Sequence, residues 1–227
     1  MRRWLYSEME QKVLKDLDLE DEDFIQPEEL LGYINEGIDV CEALIHTLYE
    51  DYFLTSSTIT LVSGTASYAL PSDIYANKIR ALSFDNGSSR YSIRKIKEQD
   101  RFAKIAEINA NPGSADYRYL PTNPTAGPRI TLVPPARESG AYVTVWYLRQ
   151  SATLSLATDQ CDIPEFASFV IQFAKVQCLV KEGNPSALKA QELLEKYREL
   201  MIITLSTMIP DGDNTVEMDT SHYEEMS

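Results

Sequence analysis

The apolar residues of this chain change period twice, and that double switch limits the folds open to it. Leu30, Leu31, Ile34, Ile38, Cys41, Leu44, Ile45 and Leu48 recur every three or four residues, the spacing of one helix face. From Phe53 to Leu148 the recurrence shortens to two, the period of strands with one buried face. At Ile163 the helical period returns and holds to Leu205. A helical start, a β middle and a helical end predict an α+β chain. Its simplest packing is a helical bundle formed by the N- and C-terminal helices, with an inserted antiparallel β module.

The boundaries follow from the punctuation. Leu5, Met9, Val13, Leu14 and Leu17 predict a short amphipathic first helix. Pro27 followed by Glu28 and Glu29 predicts the start of the second, because proline suits the first turn and acids there oppose the helix dipole. Thr58–Val62 and Ala66–Leu70 read as strands around the Ser63-Gly64-Thr65 turn, and Asp85-Asn86-Gly87 as a hairpin tip. A short helix over 98–108 and a proline-rich loop over 111–128, crossed by a strand at Tyr117–Leu120, come next. Ile130–Val133 and Tyr142–Leu148 complete the β region. Pro164 opens a helix ending near Gly183, and Asn184-Pro185 restarts a last one with Leu188, Leu193, Leu194, Tyr197, Leu200, Met201 and Ile203 or Leu205 inward. The expected divisions are 1–51 and 159–209 for the helices, 52–158 for the β module and 210–227 for an acidic tail.

Charge is unevenly distributed. Residues 1–60 hold 15 acids and 4 bases, residues 61–160 hold 8 and 12, and residues 210–227 hold 6 acids and no base. A net charge of −14 disfavours tight binding to phosphates, which needs many Lys and Arg contacts to release counterions. The expectations are no membrane span, no secretory signal after Met1-Arg2-Arg3-Trp4, and a reducing compartment for the three unpaired cysteines.

Few residues suggest chemistry. The nine glycines form neither phosphate-cradling motif, so no nucleotide cofactor is expected, and no other cofactor or metal either. His46 sits beside a core stripe and His222 in the tail, without metal-type partners at helical spacing. His46 reads as a partly buried or surface histidine rather than a catalytic one. Asp159 and Asp162 could hold a cation or exchange protons, but Asp162 reads better as the residue that starts the helix at Pro164. The acids from Asp16 to Glu29 lack the glycine and spacing of a calcium loop and read as a solvated connector.

One basic cluster stands out: Arg90, Arg94, Lys95, Lys97, Arg101 and Lys104, with Tyr91 and Phe102 interleaved. It suits a contact patch for an acidic partner or a DNA backbone. It equally suits cations guarding an exposed strand edge together with a solvated helix face. A third use is complementarity between subunits, with a basic β module meeting a neighbour's acidic helices. Trp146 and the tyrosines of the β region could stack on sugars, but at strand spacing they read as core or cross-strand pairs.

Several phrases then occur in a telling order. They are the helix Leu30–Leu48, the run Ile59 to Asp73 with its Tyr68-Ala69-Leu70-Pro71-Ser72-Asp73 ending, Ala115-Asp116-Tyr117, Ile130 to Pro135, Val143 to Tyr147, and Asp162-Ile163-Pro164-Glu165-Phe166. Together they resemble the head-to-tail adaptor, or tail tubular protein A-like, family of short-tailed bacteriophages over residues 28–205. The resemblance implies a non-enzymatic connector of the virion, made in the host cytoplasm and placed at the head–tail junction. It implies a ring of about twelve copies beneath the portal protein, linking it to the tail nozzle proteins and passing DNA without specific binding. On that reading the tail residues Met208, Ile209, Pro210, Val216, Met218 and Tyr223 would dock on the portal. The alternatives are another phage virion or tail protein, or a carbohydrate-binding β module, without portal contact.

Overall fold

A computed structural model describes residues 3–19, 24–110, 117–123 and 125–208. In chain order the elements are α1 (Tyr6–Leu17), α2 (Pro27–Leu48), β1 (Leu54–Thr60), β2 (Ser67–Ala69), β3 (Ile74–Asp85), β4 (Arg90–Lys95) and α3 (Arg101–Ala110). Then follow β5 (Arg118–Thr122), β6 (Arg129–Val133), β7 (Tyr142–Arg149), α4 (Ala167–Glu182) and α5 (Ala187–Met208). The chain is mixed α+β, as the change of period predicts. It divides into two compact units: residues 1–49 with 155–227, and residues 50–154.

In the helical unit α4 packs against α1, α2 and α5. The sequence explains its central place, since apolar side chains lie all round it. Phe169, Val170, Ile171, Ala174, Val176, Cys178 and Leu179 are all buried. Gly37 lets α2 come close: a Cβ there would lie 3.2–3.3 Å from Phe173 and Val170 of α4. Ile34, Ile38, Cys41 and Ile45 of α2 and Met9 and Val13 of α1 are also buried, each such side chain contributing about 1.5–3 kcal/mol. At the start of α2 the Glu29 carboxylate accepts the Gln26 N–H at 3.1 Å, and Pro27 fills the first turn. Ile163 stands at the position before Pro164 that opens this helix, and its side chain makes no capping hydrogen bond.

The last helix departs from its expected inward face. Met201 and Leu205 are its only buried residues among those described, while Leu188, Leu200 and Ile203 are more than half exposed and Leu193 is 41% exposed. Two apolar stripes run side by side on α5. Ala190, Leu194, Tyr197, Met201 and Leu205 are each less exposed than the residue just before it, Lys189, Leu193, Lys196, Leu200 and Thr204 respectively. Both stripes satisfy a helical period, so spacing alone could not separate them.

The β unit is a curled seven-stranded sheet in the order β1-β7-β3-β4-β5-β6-β2. Its pairs are antiparallel except β4–β5, which is parallel at Arg94↔Arg118 and Lys95↔Tyr119. β1 and β2 are consecutive yet do not pair; they lie at opposite ends of the strand order. Side chains from both ends share one core that includes Leu61, Tyr68, Leu82, Phe84, Ile130, Leu132, Val143 and Val145. The β3–β4 tip forms where Asn86 and Gly87 predict it. Gly87 has φ 82°, the Asp85 carboxylate accepts its N–H at 2.8 Å, and Asn86 Oδ1 accepts the N–H groups of Ser88 and Ser89.

Candidate functional site

The structure distributes the basic cluster over β4 and the first turns leading into α3. Arg90 pairs with Asp85 at 2.8 Å, and Arg101 with Glu98 at 3.1 Å. Arg94, Lys95 and Lys97 are without a carboxylate partner among the described residues, and Arg94 and Lys95 are exposed on β4. Lys104 falls within α3. β4 pairs with β3 from Arg90 to Ile93 and with β5 only at Arg94 and Lys95, so each of its residues is paired on one side. Phe102 beside it is 79% exposed.

The residues that suggested chemistry have structural settings. His46 is buried on α2, its Nε2 3.3 Å from the Glu42 carboxylate one turn earlier. Asp159 accepts the N–H groups of Ser155 and Leu156 at 2.7 and 2.8 Å and the Ser155 hydroxyl at 3.0 Å. Those backbone donors hold its carboxyl below the usual range. Burial pushes the thiols of Cys161 and Cys178 up to about 11, and that of Cys41 also upward. Among the described residues no group of three or more His, Cys, Asp and Glu side chains could hold a metal ion, and no helix is long and apolar enough to cross a membrane.

The run from Ile59 to Asp73 is built for folding. The Tyr68 hydroxyl accepts the Val62 N–H at 3.1 Å and reaches the carbonyls of Val62 and Thr65, closing the turn that holds Gly64 at φ 81°. Asp73 accepts the Tyr147 hydroxyl at 2.9 Å. Burial first, and that bond second, push Tyr147 up to about 12. The phrase therefore ties together two distant parts of the sheet. A family model, that of the SU10 adaptor protein, matches residues 5–216. The chain belongs to the SU10 adaptor protein family, a family of phage head-to-tail adaptors. No curated protein matches it. Membership implies a structural, non-enzymatic component of the virion that works with portal and tail components.

For an adaptor the relevant sites are surfaces. Of the expected tail set, Met208 ends α5, while Ile209, Pro210, Val216, Met218 and Tyr223 lie outside the described residues. Trp146, expected in the core or a cross-strand pair, is 43% exposed on β7, opposite Ser56 of β1 and Ala81 of β3. The exposed side of α5 is the feature sequence reasoning missed. Its signal was present as a surplus: α5 carries more apolar residues than one helix face can hold.

Proposed function

We propose that this adaptor forms a closed ring of about twelve copies beneath the portal, links it to the tail nozzle, and lets DNA pass without specific contacts. Membership of a phage adaptor family over residues 5–216 is the observation that carries this reading. The net charge of −14 supports the passage of DNA, because an acidic lumen repels phosphates. At physiological salt that repulsion extends only about 8 Å, so it acts within the channel and little beyond it. In this reading α1, α2, α4 and α5 make up a helical bundle, with residues 1–51 and 159–209 as its two halves and 52–158 as the β module. The segment 210–227 docks on the portal through Val216, Met218 and Tyr223, continuing Met208, Ile209 and Pro210. Arg90, Arg94, Lys95, Lys97, Arg101 and Lys104 form a contact patch for an acidic surface of a neighbouring protein. Three of those cations are free to do so within the described chain.

Deletion of the residues after Ile209 tests the docking arm. Melting of the free adaptor stays unchanged, and pull-down by the portal protein weakens. Undiminished docking by the truncated chain would refute the tail's role.

A further inference from the structure

The exposed stripe of α5 has a counterpart on the same unit. Lys189, Leu193, Lys196, Leu200 and Ile203 follow one another at intervals of four and three, which places them along one line of the helix. That line is about 22 Å long. Leu200 and Ile203 on it are 57% and 60% exposed. On the other side of α5, beyond its packed stripe, a groove of about 400 Å³ opens between α2, α4 and α5. Val40, Ala43 and Leu44 form its α2 wall, Phe169 and Phe173 its floor, and Leu194 its α5 wall, beside Glu195 and Arg198, which pair with each other at 3.4 Å.

Charge matches the two features to each other. The ridge interleaves its apolar residues with Lys189 and Lys196, which are exposed and have no carboxylate partner among the described residues. The α2 wall continues, one turn earlier on the same face, to Glu36 and Asp39, equally exposed and equally without a cation. Ridge and groove are apolar at their centres; with Glu195 and Arg198 paired to each other, the groove's remaining charge is the acidic α2 side, opposite to the ridge's Lys189 and Lys196. They lie on different sides of one helix, so a chain cannot satisfy its own ridge with its own groove.

We propose that the groove is filled by the α5 ridge of a second copy of this chain, Leu200 and Ile203 entering against Val40 and Ala43, with Lys196 facing Asp39. The arrangement is helix-in-groove recognition. Because it joins two different surfaces it is heterologous, the kind of contact that repeats around an axis until a ring closes. The inference rests on the ring proposed above and names the surfaces that build it.

The experiment uses the full chain and native mass spectrometry, with and without added portal protein. One variant carries Leu200→Asp and Ile203→Asp on the ridge; the other carries Val40→Arg and Ala43→Arg in the groove. The expected result is a wild-type ring, no ring from either variant, and two-copy species from their mixture, where one intact ridge meets one intact groove. A ring from either variant, or the absence of pairs in the mixture, overturns this interface while leaving the ring reading intact. If the wild type forms no ring in either condition, the ring reading fails and this interface with it. Should a double variant lose its helical circular dichroism, the exposed charges decide. Lys196→Glu weakens assembly and adding Asp39→Lys restores it, whereas failure of that restoration counts against the pairing.

Discussion

Single residues set how closely the helices approach. Gly37 has no side chain where Phe173 and Val170 stand 3.2–3.3 Å from a notional Cβ. Gly37→Val overpacks that contact and should cost about 1–3 kcal/mol in urea unfolding. Ile34, wholly buried on the same helix, tests the opposite error. Ile34→Ala leaves a cavity and should cost about 2–5 kcal/mol. Asp159 shows why a carboxylate's chemical promise cannot be judged from type alone. It occupies its oxygen with three hydrogen bonds from residues three and four positions earlier, and so organises a turn. The Ser155-x-x-x-Asp159 spacing permits that turn but does not announce it. His46, read from its place beside Ile45 as partly buried or on the surface, is buried outright at 3% exposure.

At the scale of elements, period carried most of the fold. Helices α1, α2 and α4, the β3–β4 tip and the strands β5 to β7 form where apolar spacing and turn residues place them. Pairing was less legible, since a strand's period fixes its faces but not its neighbours. Hence β1 and β2, one turn apart in sequence, lie at opposite ends of the sheet. α5 failed for a different reason: two apolar stripes a residue apart merge into one broad face when only spacing is read. The exposure of Leu200 makes a prediction for the free adaptor. Leu200→Ser should change its unfolding free energy by no more than about 0.5 kcal/mol, as for a surface site. A core-sized loss would mean that this side of α5 is packed within the monomer.

For the whole molecule, ion pairs compete with a net charge of −14. Hydrogen bonding by Lys175 holds Asp16 below the usual carboxylate range, Lys181 does the same for Glu29, and Lys78 and Arg80 for Glu50. A depressed carboxyl stabilises the fold above its unfolded pKa, and that contribution disappears as pH falls through its folded value. Acid also relieves long-range repulsion, but at physiological salt screening over about 8 Å has already reduced that effect. The urea midpoint should therefore stay level from pH 7 to about 5 and fall below about pH 4. A midpoint that rises on acidification would show that repulsion dominates.

Assembly is the claim on which the functional reading turns. Electron microscopy of the purified adaptor with its portal protein tests it most directly. A closed ring of about twelve copies seated on the portal is the expected image. A chain that stays monomeric, both alone and with the portal present, would contradict the account.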